Sequence, residues 1–141
     1  MGADGRELDI AGVGNAIVDV LSDTDDEVIF GHGLAKGSMT LIDGDRADAL
    51  YAGAGTAVEA SGGSSANTAV VAASFGAHVA YIGKLRDDTL GDTFARNITA
   101  ANVLFDTPRS VDGPGTDRCL VMVSPDGQPV PPSQPAGHRS L

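Results

Sequence analysis

Short apolar runs alternate with turns containing glycine, proline or aspartate along most of this chain. Short runs of β-branched and apolar residues between turn signals are typical of buried strands. The runs that we predict as strands are residues 8–13, 17–21, 38–42, 79–82, 103–105 and 120–123.

Helical spacing follows several of these runs. We expect Asp45 to cap one helix, because an aspartate oxygen can accept from the first helical amides. Residues 68–75 predict a buried helix of small apolar side chains, ended by Gly76. Phe94 and Ile98 lie four residues apart and share one face of a further helix. Strand, glycine turn, helix, strand and helix in this order indicate parallel βαβ pairing and an α/β fold.

Composition and charge limit the classes of partner. The chain has 141 residues, of which 42% are hydrophobic, and this suits one modest domain. Nine Lys and Arg residues against nineteen Asp and Glu residues give a formal net charge of −10 at pH 7. Nucleic acids and anionic membranes attract basic proteins, so we expect neither as a partner.

The cysteine content and the N-terminus bear on the compartment. Cys119 is the only cysteine, which excludes an internal disulfide and a zinc site built from several thiolates. Charged residues interrupt positions 4–9, so we expect no signal peptide there. No apolar run approaches the roughly 20 residues that span a bilayer. We therefore expect a cytoplasmic protein.

Three patterns indicate chemistry only weakly. The acidic residues at positions 23–27 suit a solvated loop better than a metal site, because no calcium-loop spacing follows. Residues 12–14 (Gly-Val-Gly) begin like a dinucleotide fingerprint, but Ile17 stands where its third glycine would be. Residues 36–38 (Lys-Gly-Ser) invert the order that a phosphate-binding loop requires. An oxidoreductase that binds NAD(H) and not ribose stays as an alternative.

The segment at residues 61–69, Ser-Gly-Gly-Ser-Ser-Ala-Asn-Thr-Ala, is the most informative in the chain. Gly62 and Gly63 lack a Cβ, so the backbone can approach a ligand closely. Ser64 can cap the following helix and leave amides directed at that ligand. Asn67 can donate and accept hydrogen bonds in the same space, which suits sugar hydroxyls. An ordinary strand-to-helix turn is the alternative.

Asp19 is a second candidate for ligand binding. A carboxylate among β-branched residues is costly to bury without a partner. It suits an acceptor for substrate hydroxyls at a strand end, and a solvent-facing position on an edge strand is the alternative.

Three ordered motifs resemble the PfkB (ribokinase-like) family of sugar and nucleoside kinases. Residues 14–20 are similar to the family's opening segment, and residues 114–127 to part of its lid. The family's first signature is matched by Gly62, Gly63, Asn67, Gly76, Gly83 and Gly91. The resemblance covers about residues 9–127 and is nearest to adenosine-kinase-like members.

The resemblance implies an α/β fold: the N-terminal half of a ribokinase-like three-layer α/β/α domain with a small β-strand lid. It implies ATP-dependent phosphorylation of a sugar or nucleoside hydroxyl, with ATP and Mg²⁺ as cofactors of the full-length family. Asp19 would hold ribose hydroxyls, the Gly-Gly backbone would approach the sugar, and Asn67 would complete the polar wall. The substrate-binding residues implied are Asp19, Gly62, Gly63, Asn67, Asn15 and Ser64. The resemblance also admits a homodimer formed through the lid.

The family's second signature, a run of the type Asp-Thr-x-Gly-Ala-Gly-Asp, has no counterpart in this sequence. That run carries the catalytic aspartate and adjoins the ATP pocket, so we assign no catalytic, metal or ATP-binding residue. Residues 1–128 are expected to form the substrate-binding and lid portion, and the proline-rich residues 129–141 a disordered tail. We expect a truncated kinase chain, ended by a frameshift or early stop after Gln128. The alternative is a sugar- or nucleoside-binding remnant without kinase activity.

Overall fold

A computed structural model describes residues 5, 7–53, 56–126 and 129–133, the last of these by their backbone alone. The chain divides into a first compact unit, residues 1–18 and 60–117, and a second, residues 19–59 and 118–140. The elements are β1 (Ile10–Val13), β2 (Ile17–Asp23), α1 (Asp26–Gly31), α2 (Gly44–Gly53), β3 (Ala57–Gly62), α3 (Ser64–Ser74), β4 (Val79–Ile82), α4 (Thr89–Ala100), β5 (Val103–Leu104), β6 (Asp117–Val123) and β7 (Pro129–Ser133).

A parallel sheet in the order β1-β4-β5 forms the centre of the first unit. Ile10 pairs with Val79 between β1 and β4, and Val79 pairs with Val103 between β4 and β5. Helix α3 packs on β1 and β4, and helix α4 packs on β5. The predicted α/β class and the parallel pairing are therefore confirmed.

Aromatic side chains fill the space between this sheet and α4. The ring centroids of Tyr81 and Phe94 are 5.9 Å apart, and Phe105 lies 5.6 Å from Phe94. Phe94 and Ile98 are fully buried, as their shared helical face predicts. Asn102 follows the helix with a left-handed φ of 62°, which ends α4.

The second unit is built on a sheet in the order β3-β2-β6-β7. Strand β7 pairs antiparallel with β6, with Met122 opposite Val130. The expectation of a disordered tail from residue 129 is thus corrected for residues 129–133. Proline cannot donate to a ladder but is tolerated on an edge strand, and β7 is the last strand of this sheet. The remainder of the expected tail, residues 134–141, lies outside the described residues.

Two local predictions fail for physical reasons. Residues 38–41 are not a strand, and only Ile42 forms an isolated bridge. Met39 and Leu41 are each 63% exposed, so these apolar side chains do not pack as those of a buried strand would. Helix α2 is capped by Asp43 and not by Asp45, because the Arg46 amide donates to the Asp43 carboxylate at 2.8 Å.

Helix α3 differs from the prediction in the residue at which it begins and in how much of its surface is buried. It begins at Ser64, four residues before the apolar pattern indicated. Ala66 and Ala69 are buried, but Val71 is 54% exposed, so the helix has one buried face. Gly76 has a φ of 93°, as predicted for the residue that ends this helix.

Candidate substrate site

The junction of β3 and α3 is the Gly62-Gly63 turn predicted from the sequence. Gly63 has φ 94° and ψ 136°, a conformation that side-chain-bearing residues rarely adopt. A Cβ added at Gly63 would lie 2.9 Å from the Asn15 carbonyl oxygen. Both the backbone angle and the close approach therefore require glycine at this position.

The first turn of α3 follows directly. The Asn67 amide donates to the Gly63 carbonyl at 2.9 Å, which is the first bond of the helix. Gly63 is the N-cap, so the expectation that Ser64 caps this helix is wrong, and Ser64 is its first residue. The side chains of Ser64 and Asn67 are exposed and so accessible to a ligand from solvent. Turn and helix together present backbone, hydroxyl and amide groups.

Asn15 approaches this turn from the segment between β1 and β2. Its carbonyl oxygen accepts from the Tyr81 hydroxyl at 3.0 Å and faces Gly63. The structure therefore brings Asn15 beside the turn formed by Gly62, Gly63 and Ser64.

Asp19 lies on β2 in the second unit and is described within that unit. Burial raises the pKa of its carboxyl group, and a hydrogen bond from the Cys119 thiol opposes that rise. Burial, together with the neighbouring Asp19 charge, raises the pKa of Cys119 to about 12. Cys119 is thus a protonated donor, and the sequence did not predict its bond to Asp19.

Arg118, next to Cys119 on β6, makes contacts that the sequence analysis did not identify. Its guanidinium lies 5.4 Å from the centroid of the Tyr51 ring and forms an ion pair with Asp48. The Tyr51 hydroxyl in turn donates to Glu59. Side chains alternate along a strand, so Arg118 and Cys119 lie on opposite faces of β6. The residues that each of them contacts are set by strand register, which local sequence patterns do not predict.

Ser65 and Tyr81 surround the glycines of the first unit and were also missed. A Cβ at Gly14 would lie 2.8 Å from the Ser65 Cβ and 3.2 Å from the Tyr81 hydroxyl. A Cβ at Gly12 would lie 3.3 Å from the Tyr81 ring. The space beside these glycines is filled by the side chains of Ser65 and Tyr81. A strand follows the glycines, whereas in a dinucleotide site a helix follows them. This geometry therefore does not favour a dinucleotide site.

Among the described residues, no group of three or more His, Cys, Asp or Glu side chains is placed to hold a metal ion. A cavity of about 470 Å³ in the second unit contains none of the predicted site residues; it is lined by Asp23, Thr24, Asp25, Val123, Ser124 and Pro125. In the part of the chain that the structure describes, no helix has the length and apolar character to cross a membrane.

Comparison with known proteins places this geometry in context. The model of the pfkB family carbohydrate kinases matches residues 39–130. Adenosine kinase from Sinorhizobium meliloti is 42% identical, with a TM-score of 0.77, over 92% of this chain and 39% of its own. A probable sugar kinase from Rhizobium etli CFN 42 is 39% identical, with a TM-score of 0.76, over 91% of this chain and 38% of its own. No curated protein matches.

A more distant structure shows the same fold. Adenosine kinase from Trypanosoma brucei brucei has a TM-score of 0.77 at 21% identity, over 96% of this chain and 43% of its own. The chain thus spans about two fifths of the length of the solved structures that it matches. These likenesses confirm the ribokinase-like fold class predicted from the sequence.

Proposed function

This chain belongs to the pfkB family of carbohydrate kinases, and from that premise we propose that it supplies the substrate side of an ATP-dependent kinase acting on a sugar or nucleoside hydroxyl. The observation that carries the proposal is the Gly63 turn, whose left-handed backbone lies against the Asn15 carbonyl. The exposed Asn67 amide one helical turn later supports it.

Each site residue has a role in this proposal. The Gly62-Gly63 backbone lies close to the sugar, and Asn67 donates to and accepts from its hydroxyls. Asn15 and Ser64 supply further polar contacts, and Asp19 accepts hydrogen bonds from ribose hydroxyls. The 42% identity to an enzyme named adenosine kinase favours a nucleoside over a free sugar.

ATP is the phosphoryl donor in this proposal, and it places the activity in the cytoplasm, where ATP is supplied. The contribution that we propose for this chain is binding and orientation of the acceptor. A homodimer formed through the lid completes the proposal, and sedimentation velocity tests it.

Calorimetric titration of the 141-residue chain with adenosine and with ribose tests the substrate assignment. Asn67→Ala is expected to weaken adenosine binding by about three- to tenfold, the loss of one or two hydrogen bonds. Thr68→Ala is the matched control, because Thr68 is also exposed on α3 and its hydroxyl donates to the Ser64 carbonyl at 2.8 Å. Equal losses in both variants, or no binding by the unaltered chain, would contradict the assignment.

The second candidate is a nucleoside-binding chain without kinase activity, the alternative that the sequence left open. ATP consumption measured with and without adenosine separates the two. Consumption that depends on adenosine supports the kinase, whereas adenosine binding without it supports the binding protein.

A further inference from the structure

Tyr81 occupies the middle of the parallel sheet of the first unit and has one polar atom. The side chain is 1% exposed, and its hydroxyl donates to the Asn15 carbonyl at 3.0 Å. Burial raises the pKa of Tyr81 above its ordinary value, so the hydroxyl remains protonated and a donor at neutral pH.

Glycines surround this side chain on several sides. A Cβ added at Gly83 would lie 2.7 Å from the Tyr81 Cε1 atom, and one at Gly14 would lie 3.2 Å from its hydroxyl. Phe94 and Phe105 pack against the ring with centroid distances of 5.9 Å and 6.1 Å. The phenol is therefore confined, and its hydroxyl is fixed in position relative to β1 and β4.

The fixed hydroxyl acts on the segment between β1 and β2. The carbonyl that accepts from Tyr81 is the one that a Cβ at Gly63 would approach to 2.9 Å. A hydrogen bond that holds the Asn15 carbonyl therefore also fixes the surface against which the Gly63 backbone packs. Removal of that bond would let the Asn15 peptide rotate and the turn relax.

We propose that Tyr81 is a positioning residue for the substrate turn, which it orients through the Asn15 carbonyl without touching substrate. This inference rests on the proposed function, because it assigns a binding role to the turn. The alternative is a buried tyrosine whose hydroxyl is satisfied by a carbonyl and which contributes to stability alone.

Tyr81→Phe removes the hydroxyl and keeps the ring, and Ile98→Val is the control for a similar modest loss of stability in the same unit. Ile98 is fully buried on α4 and has no place in the site. We expect Tyr81→Phe to weaken adenosine binding by about three- to tenfold and Ile98→Val to leave it unchanged. Equal effects of the two variants on binding would overturn the proposal.

Amide NMR spectra without ligand keep this test separate from the proposed function. Tyr81→Phe is expected to shift the amides of Ala16, Gly63 and Ser64 and to speed their hydrogen exchange relative to Ile98→Val. Changes confined to Gly12, Gly14 and Gly83, the neighbours of the ring, would overturn the positioning role. If the turn shifts but the unaltered chain binds neither adenosine nor ribose, the proposed function fails and the positioning of the turn stands.

Discussion

Two constraints require glycine at position 63, its backbone angle and its close approach to Asn15, and comparison with Gly76 separates them. Gly63 and Gly76 have nearly equal positive φ angles, 94° and 93°, but a Cβ at Gly76 would meet nothing within 4 Å. Gly76→Ala is therefore expected to cost about 1 kcal/mol, the penalty of the backbone angle. Gly63→Ala adds contact with the Asn15 carbonyl, and we expect a loss of about 2–4 kcal/mol by urea unfolding. Equal losses would show that the Asn15 carbonyl yields freely.

Asp19 is expected to favour binding at the expense of stability. Because burial raises its pKa, the folded chain holds a proton on Asp19 more tightly than the unfolded chain does. The contribution of Asp19 to stability is therefore greatest below its unfolded pKa, and it is lost as the pH rises through the folded pKa. At pH 7, Asp19→Asn should leave the free energy of unfolding equal or higher.

The same substitution should weaken adenosine binding by about tenfold or more, because hydrogen bonds to a charged acceptor are lost. Affinity of the unaltered chain should also fall as the pH drops from 7 toward the raised pKa of Asp19. Calorimetry at several pH values, beside urea unfolding at pH 7, provides both measurements. A variant that is less stable at pH 7 and binds normally would contradict a substrate role.

At the scale of elements, helix α4 depends on one carboxylate. Asp88 accepts from the Gly91 amide at 2.8 Å, and from the Thr116 amide at 2.8 Å and hydroxyl at 2.7 Å. Burial disfavours its charge, but these hydrogen bonds and the nearby Arg86 outweigh burial and lower its pKa. Asp88 thus joins the start of α4 to the loop before β6.

Asp88→Ala is expected to cost about 1–3 kcal/mol at pH 7, as the loss of a cap and of the bonds to Thr116. Asp87→Ala is the control, because the Asp87 side chain is 68% exposed. A lowered folded pKa gives stability that is present above the unfolded pKa and is lost as the pH falls through the folded value. The difference between the unaltered chain and Asp88→Ala should therefore shrink as the pH falls from 7 through the lowered folded pKa of Asp88. A difference that is constant with pH would contradict this assignment.

Local sequence patterns predicted the elements that depend on residues close together in the sequence. Strands β1 and β4 follow from short apolar runs, and helix α4 follows from the four-residue spacing of Phe94 and Ile98 on one face. Residues 38–42 were misassigned and β7 was missed, because a strand exists only with a partner, and partners are set by distant pairing. The cap of α2 was misassigned for a different reason, because Asp43 and Asp45 lie within three residues and the sequence pattern does not distinguish them.

The candidate site was predicted in the same uneven way. The turn at Gly62 and Gly63 followed from residue types, because only glycine permits such a backbone. The contacts of Tyr81 with Asn15 and of Cys119 with Asp19 did not, because they join residues that are far apart in the sequence. Ordinary core residues and residues that support a site have the same local pattern, and only register distinguishes them.

At the scale of the whole molecule, the chain covers 39% of the adenosine kinase from Sinorhizobium meliloti. The net charge of −10 disfavours binding to polyanions, which attract basic proteins. The central claim is therefore local: a nucleoside binds at the Gly63 turn of this chain.

Amide NMR during titration with adenosine tests that claim most directly, because it reports each residue separately. The account predicts saturable shifts centred on Asn15, Gly63, Ser64 and Asn67, which are weakened in Asn67→Ala and retained in Thr68→Ala. Absence of shifts at these four amides, or shifts centred on the cavity at residues 23–25 and 123–125, would contradict it.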